Sequence, residues 1–330
     1  MAKHVKAACI ARTCTMLLFM LLLTSCGKPL EKAYNADTGL LRMNSVNAGT
    51  EASARAHGFA YSLAIPGTTD FNADDITAEA CLLTETGKEK PEALAYKKPY
   101  EKLYQASITK VMTALVCLDQ VKDLSREFTV TQNSVISEAG SSSAFIHPGE
   151  TLTVEQLLYG MLIPSGNDAA VAVAEATAGS VDQFVKLMNE KAIALGATGS
   201  HFMNPNGLHN DDHFTTPYDI YLILNAAWQY PEFRQIVGTS SYAVNYKDKN
   251  GIAKSQVWKG SNQFMTGERD TPAGYKVLGG KTGTTKNAGY CLCMEAEKED
   301  TGADYISVVM KAESHQDLYD NMTNVINKIH

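Results

Sequence analysis

The chain has little cysteine, no long apolar run near its start and no excess of basic charge. Seven cysteines are spread over 330 residues, and three of them, Cys9, Cys14 and Cys26, fall in the first 26 positions. The remaining four, Cys81, Cys117, Cys291 and Cys293, have spacings that fit no zinc pattern. A chain of this size builds a core without covalent staples. Cys291 and Cys293 would point to one face of a strand and read as buried thiols acting as small apolar side chains. A Cys81–Cys117 bridge stays open in an exported chain. The net charge is −7 with His neutral, which gives no basic footprint for nucleic acid. His209-Asn210-Asp211-Asp212-His213 matches no zinc motif and reads as a polar loop, so neither a metal nor a cofactor is expected. There is no internal repeat.

What the N-terminus does have is a processing pattern. Lys3, Lys6 and Arg12 form a positive head before the apolar stretch Met16 to Leu23, whose eight residues are too few to span a bilayer. This reads as a secretory signal over residues 1–25. It ends in Leu23-Thr24-Ser25-Cys26-Gly27, which resembles a bacterial lipobox with Cys26 as the lipidated residue of the mature chain. Acyl chains there would hold the protein at a membrane surface. Removing residues 1–25 takes away three positive charges and no acidic ones, which brings the net charge to −10. Anchoring is therefore expected to rest on lipid, not on attraction to anionic headgroups. Residues 26–55 lack periodicity and read as a tether. The domain is expected over 56–330, with its fold starting near Phe59 or Tyr61.

Hydrophobic patterning predicts strands at Glu79–Thr84 and Ala93–Tyr96, then a helix opened by Ser107. A second helix covers Val154–Leu162, with Thr153 and Gln156 as a capping box. Pro164 and Gly166 end it, which leaves Ser165 and Asn167 on a loop. Asp168 suits the N-cap of a helix over Ala169–Ala178. Further helices are expected near 181–195, 217–227 and 316–329, the second of these taking Tyr218, Tyr221, Leu222 and Leu224 as core. Strands are expected around Lys281, at Tyr290–Ala296 and at Tyr305–Met310. The first and last segments would share one sheet, with a helical region inserted between them.

Three short strings carry chemistry. Ser107-Ile108-Thr109-Lys110 places a hydroxyl and an amine on one helical face, and a hydroxyl needs such a partner to become a nucleophile. Ser165-Gly166-Asn167 follows at S-x-N spacing, and Lys281-Thr282-Gly283 follows later as K-T-G. The trio in this order is the pattern of β-lactamases and penicillin-binding proteins.

The chain resembles the serine D-alanyl-D-alanine carboxypeptidases among the low-molecular-mass penicillin-binding proteins (peptidase family S11). The likeness runs from about residue 59 to the end. It rests on Gln105 to Thr113, Pro164 to Ala169, Phe202-Met203-Asn204-Pro205-Asn206-Gly207-Leu208, and Gly280 to Thr285 with Ala288-Gly289-Tyr290-Cys291 behind it. It implies an α/β (α+β) fold of the β-lactamase/transpeptidase kind, an antiparallel sheet flanked by helices with an inserted helical subdomain. It also implies a peptidoglycan stem peptide ending in D-Ala-D-Ala as substrate and β-lactams as inhibitors. Two departures stand out. The chain runs only about fifty residues past Lys281, room to finish the sheet and add one helix, so the Cys26 lipid would serve as anchor. And no arginine follows Arg269, where some relatives carry one facing the substrate carboxylate. That hold falls to Lys281 and threonine hydroxyls, with Lys311 or His315 as helpers.

By this resemblance Ser107 is the nucleophile and Lys110 its base. Ser165 passes a proton to the leaving amine, and Asn167 bonds the substrate amide. Lys281 attracts the terminal carboxylate, and Thr282 and Thr284 add hydroxyl contacts. Gly283 leaves room for a substrate to lie close, Asn206 borders the cleft, and the N–H groups of Ser107 and Thr284 form an oxyanion hole. Three rival readings share the trio: a class A β-lactamase, a D,D-endopeptidase and a silent β-lactam sensor. The first needs a glutamate for the deacylating water; none lies between Phe202 and Asp219, and the loop reads S-G-N in place of S-D-N.

Overall fold

The computed structural model describes residues 65–66, 73–88, 91–138 and 140–329. The expectations for the signal, Cys26, the tether and the start of the fold lie outside them. A six-stranded sheet has the order β1-β3-β2-β10-β9-β8. Its strands are β1 (Ile65–Pro66), β2 (Ala80–Glu85), β3 (Glu92–Lys97), β8 (Tyr275–Thr285), β9 (Gly289–Lys298) and β10 (Asp304–Ala312). All neighbours pair antiparallel except β1 and β3. The first and last segments do share this sheet, and β8, which carries Lys281-Thr282-Gly283, lies at its edge.

One face of the sheet packs on the C-terminal helix α8 (His315–Ile326) through Leu83, Leu292, Met294 and Val309. The other face meets the inserted helices α1 (Thr109–Gln120), α2 (Val154–Leu162), α3 (Asn167–Ala178), α4 (Val181–Leu195) and α5 (Pro217–Ala227). Helix α1 is buried along its whole front, Thr109 to Leu118, as expected of a helix packed on by neighbours on every side; α3, α4 and α5 all touch it. That central position is what buries Lys110. The capping box at Thr153 forms in both directions, Gln156 N–H to Thr153 Oγ1 at 3.1 Å and Thr153 N–H to Gln156 Oε1 at 3.0 Å.

Several expectations need correction. Helix α3 starts at Asn167 with Gly166 as N-cap; Asp168 is in its first turn, and its carboxylate serves the preceding loop instead. A second sheet, β4 (Glu127–Thr129), β5 (Thr151–Thr153), β6 (Ser241–Lys247) and β7 (Ala253–Lys259), was not predicted, nor was the short helix α6 (Pro231–Val237). Strands β6 and β7 bury little beyond Val244, Tyr246 and Trp258, so their apolar alternation is thin. Cys81 and Cys117 are both free thiols; Cys81 faces the α8 side and Cys117 the helical side, so no bridge joins them. Cys291 and Cys293 share the helical face and are buried, and burial pushes both thiols up to about 12.

On that same face, cross-strand register sets Thr84, Ile306 and Glu295 side by side, with α5 packed above them. Glu295 is 2% exposed. Among the described residues, its Oε2, the Thr84 hydroxyl and the Tyr221 hydroxyl have no hydrogen-bond partner. Burial and the nearby Asp304 push the Glu295 carboxyl up to about 8, against the pull of Arg234. The folded chain then holds this proton over a range where the unfolded chain, titrating near 4.5, has lost it. The stability from keeping the neutral acid is complete below about pH 4.5 and is lost as pH rises toward 8. Glu295→Gln should therefore remove a decline of up to about 1.4 kcal/mol per pH unit across that window. Urea unfolding at several pH values checks this, and parallel pH profiles for parent and variant would refute it.

Candidate active site

Ser107 sits in a single 3-10 turn, Ala106–Ile108, that leads into α1. Ala106 enters it at φ +49°, a left-handed conformation uncommon for a residue with a Cβ. Two glycines hold this turn. A Cβ on Gly207 would lie 2.0 Å from the Ala106 carbonyl oxygen, and one on Gly283 would lie 2.7 Å from Gln105 O and 3.0 Å from Ser107 N. The room at Gly283, expected to admit substrate, is thus taken by the chain's own backbone. The glycine lets the edge strand β8 lie against the serine turn.

Lys110 is fully buried and reaches three oxygens: Ser107 Oγ at 2.8 Å, Asn167 Oδ1 at 2.7 Å and Asn206 O at 2.6 Å. Burial holds its pKa well below 10.5, the charge of Lys281 lowers it further, and Asp168 opposes both. A neutral amine has two N–H donors and one lone pair. Asn167 Oδ1 and Asn206 O are acceptors and take the donors. In the neutral amine the lone pair would then face the one partner that can donate, the Ser107 hydroxyl, whereas an ammonium would donate to all three oxygens.

Lys281 is 1% exposed. Its ammonium donates to Ser165 Oγ at 2.9 Å and Thr282 O at 2.8 Å, which leaves a third N–H for another acceptor. Burial lowers its pKa to about 7. Ser165 adopts φ +62°, and Gly166 after it has no room for a side chain: a Cβ would lie 2.7 Å from both Ala144 Cβ and Gly160 O. An S-D-N version of this loop would not fit. Thr282 Oγ1 pairs with Ser261 Oγ at 2.7 Å, and Thr284 is exposed on the same edge strand as Lys281. The structure therefore brings Ser107, Lys110, Asn167 and Asn206 into one hydrogen-bonded group and Ser165 with Lys281 into a second. The two are coupled by the charge of Lys281 on Lys110. Lys311 takes φ +59° at a β-bulge and lines, with Thr284 and Tyr290, a cavity of about 510 Å³.

Two residues that sequence reasoning missed organise the surroundings. The buried Asp168 carboxylate accepts from Ala144 N–H at 2.8 Å, Ile146 N–H at 3.1 Å and Ser143 Oγ at 2.6 Å. Its signal was present, an acid directly after Ser165-Gly166-Asn167, but was read as a cap. His213 uses both ring nitrogens inside the protein: Nδ1 accepts from Met203 N–H at 3.0 Å, so Nε2–H donates to Thr109 Oγ1 at 2.8 Å. Burial, with the neighbouring His201, His209 and Lys110, lowers its pKa to about 3. It is a neutral tie between α1 and the loop 203–208, whose Pro205 carbonyl accepts from Thr113 at 2.7 Å and whose Asn206 carbonyl accepts from Lys110.

An antiparallel sheet flanked by helices, with S-x-x-K, S-x-N and K-T-G strings meeting where its edge strand touches the helical region, defines the fold of the active-site-serine penicillin-binding DD-peptidases. Comparison with known proteins makes this specific. Residues 68–314 match the family described as D-alanyl-D-alanine carboxypeptidase (peptidase S11). The chain is 33% identical over 254 residues to the D-alanyl-D-alanine carboxypeptidase DacF of Bacillus subtilis, covering 76% of this chain and 61% of that one. It is 32% identical over 232 residues to a D-alanyl-D-alanine carboxypeptidase of Streptomyces sp. strain K15, covering 67% and 77%. The crystal structure of the Streptomyces K15 DD-transpeptidase superposes with a TM-score of 0.71 at 28% identity over 79% of this chain and 98% of that one. The chain belongs to the D-alanyl-D-alanine carboxypeptidase family, although it spans less than two thirds of the length of the Bacillus relative.

Proposed function

We propose that this protein is a serine-type D-Ala-D-Ala carboxypeptidase that removes the terminal D-alanine from peptidoglycan stem peptides through an acyl-enzyme on Ser107, and that β-lactams acylate the same serine. The observation that carries the proposal is the contact at Lys110: a fully buried amine, held by Asn167 Oδ1 and Asn206 O, lies 2.8 Å from Ser107 Oγ. Lys110 takes that proton as Ser107 Oγ bonds to the penultimate carbonyl carbon. The oxygen of the tetrahedral adduct carries the negative charge and is met by the N–H groups of Ser107 and Thr284. The C–N bond then breaks, and the leaving amine takes up, through Ser165, the proton that Lys110 received. Water attacks the acyl carbon, frees the shortened peptide and returns the proton to Ser107. Lys281, with Thr282 and Thr284, holds the terminal carboxylate, and Lys311 adds positive charge at the end of the cleft. Asn167 bonds the amide upstream of the scissile bond. The missing glutamate in the 202–219 segment favours this reading over a β-lactamase.

Incubation with a penicillin should give a mass increase on the peptide containing Ser107. Ser107→Ala should abolish the increase, and Lys110→Ala should slow it roughly hundredfold or more. An unmodified peptide from folded parent protein would end the proposal.

Burial pushes the pKa of both lysines down, Lys281 to about 7, and the charge on Lys281 lowers that of Lys110 further. The proposed roles need Lys110 neutral and Lys281 charged. For a carboxylate substrate, kcat/KM should fall in acid as Lys110 takes up a proton, and should fall as pH passes about 7 and Lys281 is neutralised. Lys281→Arg, with a guanidinium that stays charged, should keep the acidic limb and lose the basic one. An unchanged basic limb in that variant would disprove the assignment to Lys281.

We also propose export and lipid attachment at Cys26, which would hold the enzyme at the outer face of a membrane or in the cell envelope. Among the described residues no helix is long and apolar enough to cross a membrane. Cys26→Ala should move the protein from the membrane to the soluble fraction. Retention of the variant in the membrane would count against lipid anchoring.

A further inference from the structure

Phe145 is 66% exposed and takes φ +57°, a backbone region that disfavours a bulky side chain. Neither packing nor local propensity accounts for a phenyl ring there. The position is enforced by its neighbours. Ala144 N–H and Ile146 N–H, one on each side, donate to the two oxygens of the buried Asp168 carboxylate at 2.8 and 3.1 Å. Phe145 N–H donates at 2.9 Å to Ser143 Oγ, which in turn donates to Asp168 Oδ2 at 2.6 Å. With both flanks tied to one carboxylate, the residue between them is turned outward. This loop also rests on the S-G-N segment: Asn167 N–H donates to Ser142 O at 2.9 Å, and Ala144 fills the space a side chain at Gly166 would need. Two of the other non-glycine residues at positive φ, Ala106 and Ser165, belong to the same centre. Backbone strain of this kind collects where a protein holds a group for function.

We propose that Phe145 is a specificity-determining residue. Its ring forms an apolar wall against the acyl half of the substrate, upstream of the bond that Ser107 attacks. The inference rests on the function proposed above. The choice of the acyl half follows from connectivity, because the loop is bonded to Asn167, the group assigned to the upstream amide, whereas the carboxylate is assigned to Lys281 on the edge strand. The ligand class favoured is an acyl donor with an aliphatic or aromatic group beside that amide.

The test compares acylation by benzylpenicillin, which has a phenylacetyl group on the acyl side, with acylation by 6-aminopenicillanic acid, which has none. The ratio of their second-order rate constants should fall roughly tenfold in Phe145→Ala and hold in Phe145→Leu. Phe145→Gly, which relieves the strained backbone, should show the same fall with a thermal midpoint at or above the parent's. A ratio within twofold of the parent's in all three variants would overturn the proposal. So would a lowered midpoint in Phe145→Gly with the ratio kept, which would make the ring structural. Parent protein unlabelled by either compound would remove the underlying function and this inference together. Labelled parent with an insensitive ratio removes this inference alone.

Discussion

Two lysines are buried in separate hydrogen-bonded groups of one site, and burial disfavours the charge on each. Taking an ammonium out of water costs several kcal/mol even after the protein relaxes, and a second like charge nearby adds to that cost. Lys110 meets two carbonyl oxygens and one hydroxyl. Lys281 meets a hydroxyl and a backbone carbonyl, which can both accept from an ammonium. Desolvation is the larger cause of both shifts, and the charge on Lys281 deepens the one at Lys110. Burial in the resting protein thus disfavours the charge on both lysines before any substrate arrives.

That arrangement needs close approach, and the fold supplies it with glycines and strained residues. Gly283 lets the edge strand lie against the serine turn, Gly207 lets the 203–208 loop lie against Ala106, and Gly166 lets the S-G-N loop lie against Ala144. Ala106 and Ser165 hold left-handed conformations in between. Each is a local cost of order 1–3 kcal/mol, set against a total stability of about 5–15 kcal/mol for a domain. The offset comes from the two apolar layers on either side of the main sheet and from ties such as His213, which joins α1 to the loop while remaining neutral.

Much of this was legible in the sequence because the chemistry is carried by short local spacings. Ser107 and Lys110 are one turn apart, so a helix brings them together whatever the rest of the chain does. The capping box at Thr153, the glycine stop at Gly196 and the proline start at Pro217 are equally local, and the helices they bound have the expected limits. What escaped was set by tertiary context. The second sheet has short strands that bury few side chains, Val244, Tyr246 and Trp258 among them, so its apolar signal is thin. Asp168 was assigned to its own helix because sequence distance favoured that reading, yet its carboxylate bonds a loop more than twenty residues earlier. Gly283 was read as space for a ligand, since a sequence cannot reveal that the serine turn folds back onto that strand.

Glu295 shows that the same reasoning about buried charge gives another result in other surroundings. It lies on the strand next to β8, is almost as buried as Lys281, and also has its charged form disfavoured by desolvation. The attraction of Arg234 is the weaker charge effect on it, and Asp304 repels the carboxylate. A buried acid under those conditions stays protonated, and beside the unpaired hydroxyls of Thr84 and Tyr221 it acts as a neutral polar group in the floor of the helical region. The lysines differ in that hydroxyl and carbonyl oxygens lie within hydrogen-bond reach of each amine. Burial alone neutralises a group; burial next to a proton donor makes it a base.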